Sequence, residues 1–273
     1  MGTKKKVLIG VLVVLVLVAA VFGWYLYRMW PMLSSTMGDV ELTEGHQSHQ
    51  VSDDDAGGEQ VSTVYMTTEI TPEGLMNAYR ALGKELTGDN IAVKLSTGEP
   101  GSNYLDAHFP EYDGFLVLSH FKGHAIAGFG GAIKNISIGM ASQEGKCLIH
   151  TDGASHTSPW GGAQDPFLEC MAEAGKSVQD AVDGNMLYIN VMNRLSVDCD
   201  CDSSPAEPDM HDIGILASTD PVALDQACVD LVYQAEDGAS LVERMESRNA
   251  EHVLAHGEEV GLGNRSYQLV SID

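Results

Sequence analysis

The sequence predicts an α/β domain with a mostly parallel sheet and helices on both faces, preceded by one N-terminal transmembrane helix. Short apolar runs typical of buried strands alternate with longer segments of helical spacing, which is the order that builds a parallel sheet. A continuous apolar run occupies residues 7–27, and a polar, acidic stretch separates it from the alternating pattern. We therefore expect a basic tip and anchor at 1–30, a flexible acidic tether at 31–60 and an α/β domain at 61–273.

The apolar run at 7–27 is long enough, at ~1.5 Å per residue, to cross the ~30 Å hydrocarbon layer of a bilayer. Lysines stand before it, and aromatic residues typical of a membrane interface follow it, at Lys4, Lys5, Lys6, Trp24, Tyr25, Tyr27 and Trp30. The positive-inside rule then puts the N-terminus in the cytoplasm and the main domain outside, in a single-pass protein of the cell membrane. A cleaved signal peptide remains the alternative interpretation.

The chain is strongly acidic, with 39 acidic and 15 basic residues and a formal net charge of −24. Such an excess excludes nucleic acid as a partner, because a nucleic-acid backbone would be repelled. The five cysteines are an odd number, so at least one cannot form a disulfide within the chain.

Strands and helices can be assigned in order from pattern and capping residues. Strands are predicted at 61–65, 91–95, 115–118, 147–150, 187–192, 213–217 and 267–270. Helices are predicted after Thr71-Pro72, after Asp165-Pro166 and after Asp220-Pro221, where a capping side chain precedes a proline. Two amphipathic helices are expected near 241–245 and 252–260.

The stretch from 115 to 150 is where the sequence predicts a functional site. His120, Lys122 and His124 follow a buried strand, and a glycine-rich run leads into a helix start at 132–136. Polar residues at the end of a strand in an α/β protein are the usual position of a ligand site. One interpretation is an anion pocket for a phosphorylated or carboxylated molecule, formed by Lys122, Gly128, Gly130, Gly131, Lys134 and Asn135. No nucleotide-binding motif is present.

A metal or iron–sulfur centre is the second interpretation, with His120, His124, Cys199 and Cys201 as its ligands. Residues 198–202 offer two thiolates and three carboxylates, which attract soft or borderline metals, but two cysteines need further ligands to complete a site. Tight packing of the glycine run and a solvated acidic loop at 198–202 remain the alternatives without a ligand.

Several motifs together resemble one family. They are Leu118-Ser-His-Phe-Lys-Gly-His124, Gly128-Phe-Gly-Gly-Ala-Ile-Lys-Asn135, Val93-Lys94, Gly98-Glu-Pro-Gly101 and Asp220-Pro-Val-Ala-Leu-Asp225. These motifs identify the chain as similar to the domain of unknown function (DUF) 362 family, whose members are also labelled uncharacterised iron–sulfur centre proteins. The resemblance implies an α/β domain that many members join to a ferredoxin-like module with two four-iron clusters.

The chain departs from that pattern in two respects. The ferredoxin-like module is not found in this sequence, so the resemblance carries iron–sulfur binding only onto Cys199 and Cys201. Similar members place further strand–helix units between the Tyr-Leu pair and the His-Phe-Lys-Gly-His segment, whereas here Tyr104-Leu105 is followed almost at once by residues 106–112. We therefore interpret the chain as a short form.

Three hypotheses of function follow. The first is a metal-linked redox or electron-transfer role with a redox partner, in which the histidine–lysine stretch and the paired cysteines meet at one edge of the sheet. The second is a binding module for a small anionic molecule, without catalysis. The third is a degenerate family member with a structural role. No reaction can be assigned from the residues.

Overall fold

The computed structural model describes residues 45–52, 61–95, 111–199 and 204–273. The predicted anchor, most of the predicted tether, residues 96–110 and Cys201 lie outside these residues. Among the described helices, none is both long and apolar enough to span a bilayer.

Six strands of the described residues form one sheet, and two more form a separate hairpin. The sheet strands are β1 (Ser62–Thr67), β2 (Ile91–Leu95), β3 (Gly114–His120), β6 (Met186–Met192), β7 (Gly214–Ser218) and β8 (Tyr267–Ser271). The hairpin strands are β4 (Lys122–His124) and β5 (Gly128–Gly130). Their order in the sheet is β2-β3-β6-β7-β1-β8.

Five of the six described sheet strands run in the same direction. The pairs β2–β3, β3–β6 and β1–β8 are parallel, whereas β7 pairs antiparallel with both β6 and β1. The predicted mostly parallel sheet is thereby confirmed. The reversed strand β7 could not be predicted, because a buried strand has the same apolar pattern in either direction.

Helices cover both faces of the sheet, as predicted. They are α1 (Pro72–Ala81), α2 (Ala132–Ile136), α3 (Gln143–His150), α4 (Gln164–Ala181), α5 (Pro221–Gln234), α6 (Ala239–Glu246) and α7 (His252–Glu259). Alternate residues of β6 point to opposite faces, so Leu187 and Ile189 pack with α1 while Tyr188 packs with the larger core beneath the other helices.

Capping residues explain where the helices begin. The Thr71 side chain accepts a hydrogen bond from the Gly74 amide, and Asp220 caps α5 through the amides of Val222 and Ala223. Helix α4 begins at Gln164, slightly before the predicted Asp165-Pro166 start. The strand predicted at 147–150 is wrong, because that run lies in α3.

The α3 segment is helical because Ser142 caps it, accepting a hydrogen bond from the Gly145 amide at 2.9 Å. Helical spacing also buries Cys147 against the core while leaving the neighbouring residues half-buried. An apolar run of four residues does not by itself distinguish a helix from a strand.

Residues 45–52, inside the predicted tether, pack against the domain. The His46 ring stacks on Tyr233 with ring centroids 3.7 Å apart, and the Ser48 hydroxyl donates to Asp230 at 2.7 Å. The Val51 amide donates to the Tyr267 carbonyl at 2.8 Å, which covers the edge of β8. The buried Asp230 carboxylate needs donors, and this segment supplies some of them.

Candidate functional site

The candidate site lies where β2, β3 and β6 end at the same edge of the sheet. These strands are parallel neighbours, so their carboxyl ends lie side by side. Beyond β3, residues 120–124, which we call the elbow, turn away and pair with β5 as the hairpin. The Gly123 amide donates to the Ser196 carbonyl at 2.8 Å, which joins the elbow to the loop after β6.

His120 is held between that loop and a lysine. Its Nε2 lies 2.7 Å from the Asn193 carbonyl oxygen, and the Lys122 Nζ lies 3.0 Å from its Nδ1. Because a carbonyl only accepts, Nε2 carries the proton and Nδ1 accepts from Lys122. Burial lowers the pKa of His120, with the nearby Lys122 adding to the effect, so the ring is neutral near pH 7.

His124 shapes the hairpin. Its Nδ1 accepts hydrogen bonds from the amides of Ile126 and Ala127 at 3.2 and 3.0 Å. Burial, and then the positive charge of Lys134, hold the pKa of His124 well below its ordinary value. The ring is therefore a neutral acceptor that closes the turn between β4 and β5.

Four lysines lie together beside the elbow, and we call Lys94, Lys122, Lys134 and Lys146 the lysine cluster. Burial, and then the charges of neighbouring lysines, lower the pKa of Lys94, Lys122 and Lys134 to about 8. Lys134 is near enough to Lys94 and Lys122 to act on both, and Lys146 acts on Lys94 and Lys134. A concentrated positive charge thus exists within an acidic protein.

Lys134 lies at the centre of the lysine cluster. Its ammonium group makes no hydrogen bond or ion pair with any residue of the described ranges, and the residue as a whole is only partly buried. Its side chain passes over Gly130, where an added Cβ would lie 3.5 Å from the Lys134 Cδ. Among the described residues, no carboxylate contributes to the pKa of Lys94, Lys122 or Lys134.

Helix α2 carries Lys134, and a buried carboxylate fixes its start. Asp225 accepts hydrogen bonds from the amides of Ala132 and Ile133 at 2.7 and 2.9 Å and from the Asn190 side chain at 2.7 Å. Burial raises the pKa of Asp225 to about 6, although these three donors favour its charged form. Because Asp225 already accepts hydrogen bonds from the first amides of the helix, an anion would have to be bound by the lysine side chains.

The glycines before α2 are required by packing. A Cβ on Gly131 would lie 2.3 Å from the Asp225 Oδ1, and a Cβ on Gly128, whose φ is +82°, would lie 2.4 Å from the Ala250 Cβ. Asn135 then ties the helix to β3, because its amide donates to the Ser119 hydroxyl at 3.0 Å. Helix α2 is therefore fixed at both ends.

The residues predicted to bind metal occupy different elements. His120 ends β3 and His124 ends β4. Cys199 forms a disulfide, whereas Cys147, Cys170 and Cys228 are free. Cys201 lies outside the described residues, and within the described ranges no group of three His, Cys, Asp or Glu side chains is arranged to hold a metal ion. Coordination by Cys199 would require reduction of its disulfide.

Two residues of this region, Lys94 and Lys146, were missed in the sequence prediction. Lys94 is a fully buried charge in β2, and a lysine inside an apolar strand is the signal that marks it. Lys146 and His150 stand four residues apart in α3, and the His150 ring donates to the Lys146 carbonyl at 2.7 Å. Lys146 was not predicted because the run that follows it, 147–150, was assigned to a strand.

Comparison with protein families assigns most of the chain to one family. The model of a domain of unknown function, DUF362, matches residues 50–230, about two thirds of the chain. The chain belongs to the DUF362 family. No curated protein and no solved structure matches it. The DUF362 match contains the elbow, the lysine cluster and Asp225, so the site described here lies within the family domain.

Proposed function

We propose that this DUF362 protein binds a small anionic molecule that carries a phosphate or carboxylate group, with Lys122 and Lys134 as its main ligands. Lys94 and Lys146 add positive charge at the same place. The observation that carries the proposal is Lys134, a partly buried residue whose ammonium group has no acceptor among the described residues.

The energetic argument is that an ammonium group taken from water needs compensation. Here the neighbouring lysines increase the cost instead of reducing it, since Lys134 lowers the pKa of Lys94 and Lys122, and Lys146 lowers the pKa of Lys94 and Lys134. A bound anion would remove this repulsion and accept hydrogen bonds from more than one ammonium group. Buried like charges kept together without a counter-charge are typical of a functional site and unfavourable for stability alone.

The sequence predicts that the glycine run is part of the anion pocket, whereas in this proposal the glycines support the residues that bind the anion. Gly128 and Gly131 allow close packing against Ala250 and Asp225, so their backbone supports α2. Gly130 lies beside the Lys134 side chain, and Asn135 fixes the helix on β3. The anion is then bound by side chains, and the glycines and Asn135 position them.

Thermal unfolding of the full chain with added phosphate or malonate tests the proposal. We expect both anions to raise the Tm of the wild type, and Lys134→Met to abolish the increase. Lys84→Met is the matched control, because Lys84 is an exposed lysine bonded to the Gly184 carbonyl, outside the lysine cluster. An increase of equal size in wild type and Lys134→Met would contradict the proposal and favour a structural role for this chain.

A location outside the cytoplasm, with a membrane anchor at residues 7–27, is part of the proposal. It is supported by the lysines before that run and the aromatic residues after it. Protease added to intact cells should digest the domain while leaving a cytoplasmic control protein intact. Digestion only after lysis would contradict this topology.

A redox role is the second candidate, and the disulfide at Cys199 favours it. Cys199 lies three residues beyond Ser196, whose carbonyl accepts from the elbow. After reduction, its thiolate would be a ligand for iron or zinc. Metal analysis of the anaerobically reduced full chain, compared with Cys199→Ser, tests this candidate. Equal metal content in the two proteins would remove it.

A further inference from the structure

We propose that Lys134 is a nucleophilic amine that forms an imine with the carbonyl group of an anionic aldehyde or ketone. This inference rests on the proposed anion site and adds a reaction to it. It also assigns separate roles to neighbouring lysines, since Lys122 and Lys146 would hold the acidic group while Lys134 attacks the carbonyl carbon.

The geometry that supports the inference is the way Lys134 is held. Helix α2 is fixed at its start by Asp225 and on β3 by Asn135, so the base of the lysine side chain is rigidly placed. Its stem lies along Gly130, and part of the side chain reaches solvent. No carboxylate or carbonyl of the described residues bonds its amine, which leaves that amine facing a ligand.

The other lysines of the cluster are held differently. Lys94 is fully buried and donates to the carbonyl of Leu95, next to it in β2. Lys122 donates to the His120 ring. Within the described ranges Lys134 and Lys146 lack such bonds, and only Lys134 is close enough to lower the pKa of Lys94, Lys122, His124 and His150 alike. Its central position makes it the best placed of the four to reach a ligand bound by the rest.

Electrostatics favour the reactive form of this amine. An imine requires a neutral amine, and desolvation beside other cations is a known way to provide one. With its pKa at about 8, Lys134 is about half neutral at pH 8, whereas an unperturbed lysine is about 0.4% neutral. The same lysines that lower its pKa attract an acidic carbonyl compound.

The reaction balances without any oxidant or reductant. The Lys134 Nζ lone pair forms a bond to the carbonyl carbon, and the π bond of the carbonyl breaks to give a carbinolamine. Transfer of one amine proton to the oxygen completes the carbinolamine hydroxyl. The Lys122 ammonium, or water, supplies the second proton to that hydroxyl, the C–O bond breaks to release water as the nitrogen lone pair forms the C=N bond, and the remaining N–H proton passes to solvent or back to Lys122. The products are one imine and one water molecule.

Glyoxylate with cyanoborohydride, added to the full chain, tests the inference. Cyanoborohydride reduces an imine to a stable amine, so a reacting lysine gains a carboxymethyl group that peptide mass spectrometry locates. At pH 8 we expect Lys134 to be labelled at least about tenfold faster than Lys84, because of its larger neutral fraction. Phosphate should slow labelling of Lys134 and leave that of Lys84 unchanged.

Lys134→Arg separates this inference from the proposed function. Arginine keeps the positive charge and cannot form the imine, so the variant should retain the phosphate-induced increase in Tm and lose site labelling. Labelling of Lys134 in the wild type no faster than that of Lys84, with the phosphate effect on Tm intact, would overturn the imine and leave anion binding standing. Loss of both would overturn the two together.

Discussion

Asp225 accepts a hydrogen bond from the backbone amide of Ala132 at 2.7 Å, so the helix that carries Lys134 begins on a buried carboxylate of another helix. The contact joins α5 to α2 across a large separation in sequence. The amides that follow the glycine run could bind an anion, but the Asp225 carboxylate already accepts their hydrogen bonds. The lysine side chains beside the run are therefore the candidate site.

Asp225→Asn should reduce stability and change its dependence on pH. We expect a loss of about 2 kcal/mol at pH 4, because hydrogen bonds to this group are removed. Burial raises the pKa of Asp225 from 3.8 to about 6, so the folded state binds the proton more tightly than the unfolded state. The advantage of wild type over variant should therefore fall by roughly 2–3 kcal/mol as pH rises from about 4 to about 6, so that the variant is no longer the less stable protein at pH 6.

Urea unfolding at several pH values measures this change. Glu236→Gln, which alters an exposed carboxylate, is the control and should leave the stability difference constant. A difference between wild type and Asp225→Asn that does not vary from pH 4 to 6 would show that the carboxyl group titrates normally in the fold.

Lys134→Met should remove a pH dependence of stability whose sign is opposite to that expected for Asp225. Burial lowers the pKa of Lys134 from 10.5 to about 8, so the unfolded state holds the proton more tightly between those values. Stability of the wild type relative to Lys134→Met should rise by roughly 1–2 kcal/mol as pH increases from about 8 to 10.5, after allowance for the partly exposed side chain. Urea unfolding without added anions measures it, and a flat difference would contradict the lowered pKa.

Gly123→Ala should disturb the contact between the elbow and the loop after β6. An added Cβ would lie 2.3 Å from the Val197 carbonyl oxygen, so the two segments must separate. We expect a loss of about 1–3 kcal/mol in the free energy of unfolding. Gly130→Ala is the matched control in the same hairpin, because its Cβ would meet only the Lys134 Cδ at 3.5 Å. Equal effects of the two substitutions in urea unfolding would argue against this contact.

Replacing His46 and Ser48 together by alanine should destabilise the domain. The buried Asp230 would lose the Ser48 hydroxyl, and Tyr233 would lose the stacked ring. We expect a loss of about 1–3 kcal/mol, since removing a partner of a buried carboxylate leaves part of it unsatisfied. Differential scanning calorimetry can compare this variant with Gln47→Ala, which changes an exposed neighbour. No fall in Tm relative to Gln47→Ala would mean that the segment is held only weakly.

Much of the fold could be predicted from local patterns. The caps at Thr71 and Asp220 and the apolar strand at β6 are local signals, and each appears where expected. The direction of β7 and the docking of residues 45–52 depend on distant partners, such as Asp230 for Ser48. No local pattern contains that information, since a polar segment looks the same whether it is solvated or bound to a buried carboxylate.

The candidate site could likewise be predicted only in part, because some of its residues come together only through tertiary contacts. Lys122 and Lys134 stand close together in sequence, and the structure brings them close enough for Lys134 to lower the pKa of Lys122. Lys94 and Lys146 join them only because β2 lies beside β3 and α3 packs nearby, which is tertiary information. The disulfide at Cys199 likewise could not be read from spacing.

The contrast between a net charge of −24 and the lysine cluster affects how quickly a ligand arrives. Far from the surface, the net negative charge of the chain repels an incoming anion. The four lysines attract the anion only within about one Debye length, ~8 Å at 0.15 M ionic strength. Added salt should screen the distant repulsion more than the attraction at contact. Association should therefore become faster with moderate salt, the reverse of the usual electrostatic steering, while dissociation also accelerates.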